Sequence, residues 1–205
     1  MVSEEAEVER HGPLDAAQPF LGSAGTPVEG ATVLDYWRWG HSNFLNNTSR
    51  GRLAEFLVAR ALGAPGEVAN EWAPYDLVTP TGVRVEVKSA AYVQDWAPPK
   101  NAPRITFRIR PTRAWQHETA TYADERRRQA DVYVFALLAQ QDRSLVDPID
   151  VSQWHFFAIG TAVLDREFGV RKTISLKDVE RLAPRASIEG LERAVSIAAV
   201  VEPSP

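Results

Sequence analysis

Residues 74–92 contain the pattern that most limits how this chain can fold, because they are typical of two strands joined by a tight turn. Polar and apolar residues alternate from Val83 to Lys88, as in a strand with one buried face. Pro80-Thr81-Gly82 forms a three-residue loop that places glycine where a left-handed backbone is needed. The sequence therefore predicts a β-hairpin with strands at Pro74–Thr79 and Val83–Tyr92.

The loop also determines which residues of the hairpin lie opposite each other. Counting outward from the turn places Asp76 opposite Glu86, and such cross-strand neighbours lie roughly 5 Å apart. Strand alternation puts both acids on one face together with Lys88. The other face is apolar and carries Leu77, Val83, Val85 and Val87. Two carboxylates and an ammonium group are therefore predicted to lie side by side.

This group of charges suits the chemistry of phosphodiester hydrolysis. Two adjacent carboxylates raise each other's pKa unless a cation lies between them, and Mg²⁺ prefers oxygen ligands of this kind. Lys88 would orient or deprotonate the attacking water, or stabilise charge at phosphorus in the transition state. The alternative is an ordinary solvated strand face with cross-strand ion pairs.

A glutamate on the preceding helix is the second informative residue. Arg50–Leu62 is predicted to be a helix, with N-cap candidates before it and Gly63 and Pro65 after it. Its apolar residues lie nearly all round, which predicts burial on most sides, so a charged Glu55 is costly unless it is paired. Its partner is either Arg52, one turn earlier, or the predicted metal and Lys88.

The remaining segments complete an α/β pattern. Strands are predicted at Arg104–Arg110, Ala130–Ala139 and Trp154–Thr161, and aromatic residues near Trp37 and Trp154 are predicted to lie in the core. Helices are predicted at Thr119–Gln129, from Ser175 to Leu182, and from Ser187 to about Ala199. The predicted fold is an α/β sandwich with a central mixed β-sheet of about five strands flanked by helices.

Glu55 on a helix, then Asp76, then Glu86-Val87-Lys88 on the next strand, resembles the PD-(D/E)xK nuclease superfamily, and in particular restriction-endonuclease-like proteins. The resemblance covers roughly residues 50–140. It implies that Asp76, Glu86, the Val87 backbone carbonyl and Glu55 ligate Mg²⁺, with Mn²⁺ as a substitute, and that Lys88 is the catalytic lysine. The chain departs from the family name because Tyr75 separates Pro74 from Asp76.

Positive charge is concentrated near the predicted hairpin. The net charge is −4, but Arg104, Arg108 and Arg110 share one face of their predicted strand. If that face borders the hairpin, it would hold a phosphate backbone by charge. Gln94, farther along the hairpin strand, is predicted to contact the nucleic acid or the site. The alternative for the arginine face is a solvated outer strand.

Composition excludes several other functions. The chain has no cysteine, which excludes disulfides and thiolate metal sites. No apolar run approaches the ~18 residues of a membrane span, and the first ten residues are acidic, unlike a secretory leader. We expect a cytoplasmic protein without a membrane partner. Residues 1–30 are predicted to form a flexible acidic leader, and residues 31–205 a single nuclease-like domain.

The function predicted from the sequence is a Mg²⁺-dependent endonuclease that hydrolyses DNA phosphodiester bonds, of restriction or defence type. A homodimer is compatible with this function because cutting both strands of a duplex needs two active sites. The alternative is a catalytically inactive nuclease-fold module that binds nucleic acid or a protein partner. Cleavage of RNA or of branched DNA would use the same residues.

Overall fold

The computed structural model describes residues 12–64, 69, 73–96, 104–113, 115–116 and 121–200. The chain divides into two compact units. One comprises Met1–Ser42 with Gly66–Ala69, and the other comprises Asn43–Pro65 with Asn70–Pro205. The division predicted from composition, after residue 30, stays a prediction. None of the helices in the described ranges is long and apolar enough to cross a membrane.

The first unit is a small hairpin followed by a helix. Strands β1 (Pro19–Leu21) and β2 (Pro27–Thr32) pair antiparallel, so part of the predicted leader has regular structure. Helix α1 (Val33–His41) begins with a capping box, in which the Thr32 hydroxyl accepts from the Asp35 N–H and the Asp35 carboxylate accepts from the Thr32 N–H. The prediction that the aromatic residues near Trp37 lie in a core is wrong. Trp39, the most exposed of them, is 85% exposed.

The second unit contains the remaining elements of the described chain. In order they are α2 (Asn47–Ala61), β3 (Leu77–Val78), β4 (Arg84–Ala91), β5 (Thr106–Arg108), β6 (Trp115–Gln116), β7 (Thr121–Tyr122), β8 (Val132–Leu138), a 3₁₀ turn (Val151–Gln153), β9 (Trp154–Gly160), α3 (Thr161–Phe168), β10 (Thr173–Ser175), α4 (Leu176–Leu182) and α5 (Leu191–Val200). The predicted mixed α/β class is confirmed.

The central sheet has the order β3-β4-β8-β9. Its middle pair, β4 and β8, is parallel, and the two outer pairs are antiparallel. In the described residues the sheet has four strands, so the prediction of about five is too high. The strand predicted at Arg104–Arg110 exists as β5, but it pairs with β10 in a separate two-stranded sheet.

Two apolar layers enclose this sheet. On one face, α2 and α5 pack over the alternate side chains of β4, β8 and β9 that begin with Val85 and Val132. On the other face, β5, β10, α3 and α4 cover the side chains that include Tyr133 and Phe135. Every residue of β8 is buried, which confirms the strand predicted from its apolar run. Trp154 is 3% exposed and belongs to the core, as predicted.

The helix predicted at Thr119–Gln129 is wrong for the part that the structure describes. Residues 117–120 lie outside the described ranges, and Thr121–Tyr122 forms strand β7, which pairs with β6. Arg127 then exchanges two backbone hydrogen bonds with Thr112, of 3.0 and 3.1 Å. This extended pairing satisfies backbone groups that a helix would satisfy internally, and so overrides the local propensity of the polar residues.

Candidate active site

The hairpin of β3 and β4 has the register predicted from its loop. Leu77 pairs with Val85 and Val78 pairs with Arg84. Gly82 closes the loop with φ = 86°, the left-handed conformation that favours glycine. The backbone N–H of Thr79 donates to the Val83 carbonyl at 2.9 Å.

Asp76 extends the hairpin by one residue beyond β3. Its backbone N–H donates to the Val85 carbonyl at 3.1 Å, and its carboxylate accepts from the backbone N–H of Val87 at 2.6 Å. In a strand, the N–H and C=O of one residue project to the same side. The Val87 carbonyl therefore projects toward the same edge of β4 as Asp76, which is the arrangement that the predicted metal ligands need.

Glu86 and Lys88 lie on β4 on either side of Val87 and form an ion pair. Their side chains are 19% and 28% exposed, respectively. Burial raises the pKa of the Glu86 carboxyl, the Lys88 ammonium opposes this shift, and the charges of Asp76 and Glu55 add to it. Both residues lie beside buried aromatic side chains of β8, since Glu86 is in register with Tyr133 and Lys88 with Phe135.

Glu55 reaches the same group of charges from α2. Its carboxylate pairs with Arg52 at 2.8 Å and its side chain is 25% exposed. Burial raises its pKa and Asp76 adds to that shift, whereas Arg52 and Lys88 lower it. The partner considered as the structural alternative is thus present, and Glu55 also interacts by charge with Asp76 and Lys88.

The donor chemistry of this group fits a hard divalent cation. Three carboxylates (Glu55, Asp76 and Glu86) face two cationic side chains (Arg52 and Lys88), and burial and mutual repulsion oppose the ionisation of both glutamates. A cation with oxygen ligands would relieve that repulsion. However, each carboxylate is bonded to a donor of the chain itself. No group of three His, Cys, Asp or Glu side chains in the described ranges is arranged to hold a metal ion. The charged side chains interact with one another, but the described residues do not form a preformed set of metal ligands.

The residues predicted to bind nucleic acid fall into two places. Gln94 and Arg104 line a cleft of about 340 Å³ beside β4, whereas Arg108 is exposed on β5 and Arg110 follows it, partly exposed. The intervening Ile105, Phe107 and Ile109 are buried, as the alternating pattern predicts.

Sequence reasoning missed two residues near the site. Arg50, the first residue of the predicted helix, is 3% exposed and lines the same cleft as Gln94. Tyr133 lies beside Glu86, and burial and the Glu86 charge raise the pKa of its phenol group. The sequence does contain a signal for Arg50, because an arginine at the start of a largely apolar helix needs a partner that neutralises its charge. Tyr133 carried none, because its position in an apolar run is typical of core.

Comparison with known proteins adds a family to this geometry. The family model described as bacteriophage T4 endonuclease IV matches residues 39–178, well over half of the 205 residues. The chain belongs to the bacteriophage T4 endonuclease IV family. Membership in an endonuclease family supports a nuclease function and suggests DNA as the substrate. The matched span contains Glu55, Asp76, Glu86 and Lys88. No curated protein matches the chain.

Proposed function

We propose that this member of the T4 endonuclease IV family is a Mg²⁺-dependent DNA endonuclease of restriction or defence type, with a site of the PD-(D/E)xK kind. The observation that carries the proposal is the convergence of Glu55, Asp76, Glu86 and Lys88 where β3 begins, beyond which no described strand pairs with that edge of β4. In a nuclease family, acidic oxygen ligands beside a lysine are the groups that phosphodiester hydrolysis requires.

Asp76, Glu86, the Val87 carbonyl and Glu55 would hold Mg²⁺. The ion supplies Lewis-acid polarisation of a phosphoryl oxygen when bound. The Lys88 ammonium would position the attacking water and stabilise negative charge that develops at phosphorus. To do so it would have to leave Glu86, the carboxylate with which it pairs. The Asp76–Val87 hydrogen bond would keep the acid and strand β4 in register during the reaction.

Cleavage assays test this function directly. Plasmid, linear duplex, single-stranded and branched DNA, and RNA, are incubated with Mg²⁺, Mn²⁺ or EDTA. The proposal predicts cleavage of DNA with either metal and none in EDTA, and the preferred DNA separates a restriction-type enzyme from one that acts on branched structures. Equal cleavage in EDTA contradicts the metal dependence. Preference for RNA contradicts the substrate.

A catalytically inactive module that binds nucleic acid or a protein partner is the second candidate function. The observation that favours it is that all three carboxylates are already satisfied by donors of the chain. Calorimetric titration with Mn²⁺ separates the two candidates. Binding to the wild type but not to Asp76→Ala supports the enzyme, and binding to neither supports the module.

Cleavage of both strands of a duplex at one position would need two sites, which a homodimer would supply. Sedimentation of the protein with and without duplex DNA tests this. A dimer that forms in either condition supports paired cutting, whereas a monomer that still makes double-strand breaks contradicts it.

A further inference from the structure

Among the described residues of the second unit two arginines are buried, Arg50 and Arg128, and they differ in whether a carboxylate pairs with them. Arg128 is fully buried at its side chain and forms an ion pair with Asp165, with further bonds to the carbonyls of Ile109 and Gly169 at 2.9 Å. Arg50 is also buried, but it forms no ion pair with a carboxylate of the described chain. A buried charge without a counter-ion is costly, so an anion that paired with Arg50 would be stabilised there.

All hydrogen-bond partners of Arg50 within the described residues are neutral. Its Nε donates to the Ser89 hydroxyl at 3.3 Å, its Nη1 donates to the Leu45 carbonyl at 3.1 Å and to Gln94 Oε1 at 2.9 Å, and its Nη2 donates to Asn47 Oδ1 at 2.5 Å. A guanidinium has five N–H groups, so these four bonds leave one N–H on Nη2.

Asp95 compensates only part of the Arg50 charge. Asp95 interacts with Arg50 at a distance, which raises the Arg50 pKa, but burial lowers that pKa by more. The Asp95 carboxylate is exposed and accepts instead from the side chains of Asn43 and Asn46, at 3.3 and 3.5 Å. A buried cation whose one acidic neighbour among the described residues is solvated and otherwise engaged retains affinity for an anion.

Arg50 lines the cleft beside β4, and the charge of the other described lining residues is compatible with an anion. Its lining contains two arginines, Arg50 and Arg104, and no carboxylate from the described chain. Its volume of about 340 Å³ is at the small end of ligand sites. It begins at Ser89, the residue after Lys88.

Backbone donors of β4 face the same cleft. The bonds of Val85 and Val87 to Asp76 show that odd-numbered residues of this strand project their N–H and C=O groups away from β8. Ser89 and Ala91 follow that pattern, and both line the cleft. Beyond Val85, no described strand pairs with this edge of β4. Backbone N–H groups at such an edge are available to an anion.

We propose that Arg50 anchors a phosphate site, in which one phosphate group of the bound nucleic acid enters this cleft and pairs with the guanidinium, with Ser89, Gln94 and Arg104 around it. The inference rests on the proposed function, because it takes the ligand from the nuclease family. The site would hold the phosphate that neighbours, along the nucleic acid, the phosphate at Lys88. It would thereby fix the position of the nucleic-acid strand on the enzyme. Arg50 is thus a binding residue and not a catalytic one.

Gln94→Glu is the sharpest test, since it places a carboxylate where Gln94 Oε1 now accepts from Arg50 and so neutralises the cation within the protein. Gln129→Glu is a matched control. Gln129 likewise accepts from an arginine, Arg127 Nε at 3.1 Å, and donates to a backbone carbonyl, that of Thr112 at 3.1 Å. Both variants add one negative charge, and thermal unfolding verifies that each is folded.

Binding of a fluorescent oligonucleotide is measured in EDTA, so that cleavage plays no part. Gln94→Glu is expected to weaken binding about tenfold or more and to reduce the slope of log K against log salt by roughly 0.7–0.9. Gln129→Glu is expected to change affinity less than twofold. Equal affinity of Gln94→Glu and the wild type overturns the site. If Gln94→Glu does not fold, Arg104→Ala replaces it, since Arg104 is exposed, and an unchanged salt slope in that variant overturns the site.

Two further arms identify the source of the anion. A larger effect of Gln94→Glu on a 5′-phosphorylated oligonucleotide than on its 5′-hydroxyl form assigns the cleft to a terminal phosphate, and equal effects assign it to an internal phosphodiester. If polyglutamate displaces the fluorescent oligonucleotide from the wild-type protein and unlabelled DNA does not, the proposal is overturned in favour of an acidic protein partner. Loss of metal-dependent cleavage in Lys88→Ala is scored separately, so that failure of the proposed function and failure of the phosphate site are distinguishable.

Discussion

The carboxylate of Asp76 accepts a hydrogen bond of 2.6 Å from the backbone N–H of Val87, the residue between Glu86 and Lys88. A single side chain thus connects the residue before β3 to the strand that carries Glu86 and Lys88. It also explains how an exposed acid is held at a fixed position beside them.

Asp76→Asn and Asp76→Ala separate the structural role of Asp76 from its predicted role in the reaction. Asparagine keeps an oxygen that accepts from the Val87 N–H, so we expect Asp76→Asn to be about as stable as the wild type. Asp76→Ala loses this bond, and its free energy of unfolding should fall by about 1 kcal/mol. Both variants should lose metal-dependent cleavage by at least about 10²-fold. Urea unfolding and cleavage rates measure the two effects. Full activity in Asp76→Asn would reduce Asp76 to a residue that merely holds the hairpin.

Glu86→Gln should uncouple the stability of the protein from divalent metal. In EDTA we expect the variant to be at least as stable as the wild type, because it removes a carboxylate whose ionisation is opposed by burial. Mn²⁺ at 100 times its Kd should stabilise the wild type by about 2.7 kcal/mol and the variant much less. Thermal unfolding with EDTA and with Mn²⁺ measures this, with the exposed Glu192→Gln as control. Equal stabilisation of Glu86→Gln and the wild type would show that Glu86 does not ligate the ion.

Asp131 should contribute stability that depends on pH. Its carboxylate accepts from the Arg84 backbone N–H at 2.9 Å and from the Arg84 guanidinium, and these bonds lower its pKa. A carboxyl whose pKa is lower in the folded state stabilises the fold above its unfolded pKa, near 3.9, and loses that contribution as pH falls through the folded value.

Because the Arg84–Asp131 pair is partly exposed, we expect Asp131→Asn to cost only about 0.5–1 kcal/mol at pH 7. The difference from the wild type should shrink below pH 4. Urea unfolding over pH 3–7 measures it, and the exposed Asp124→Asn controls for the general effect of one charge. A difference that stays constant over this range would contradict the ion-pair origin.

Gly160 is needed for the packing of α5 on β9. A β-carbon at this position would lie 2.5 Å from the backbone carbonyl oxygen of Ala198, so we expect Gly160→Ala to cost about 1–3 kcal/mol. Gly40→Ala, within helix α1 and without such a contact, should be neutral or stabilising. Denaturant unfolding of both variants provides the comparison. An equally stable Gly160→Ala protein would mean that α5 shifts freely on the sheet.

The hairpin was predictable because its information is local. A glycine at the left-handed position of the loop, with alternation on both sides, determines which residue faces which, and the observed pairing of Leu77 with Val85 agrees with that. The fully buried strand β8 was predictable for a similar reason, since a run of seven apolar residues has few other places in a protein of this size.

The predictions that were wrong concern contacts between segments that are distant in sequence. Nothing within Arg104–Arg110 indicates that this strand pairs with Thr173–Ser175 rather than joining the central sheet, and nothing within Thr119–Gln129 indicates its pairing with Thr112. The Arg50 environment is the same kind of case. Its neutral partners come from residues 45–47, Ser89 and Gln94, which only the folded chain brings together.

Lys88→Ala under single-turnover conditions tests the central claim most directly, with Lys177→Ala, exposed on α4, as the matched control. Both variants are assayed on the preferred DNA with saturating Mg²⁺, and DNA binding is measured in parallel. We expect Lys88→Ala to lose about 10²–10⁴-fold in cleavage rate while it binds DNA within a few-fold of the wild type, and Lys177→Ala to cleave normally. Undiminished cleavage by folded Lys88→Ala would contradict the assignment of the nuclease site to the open edge of β4.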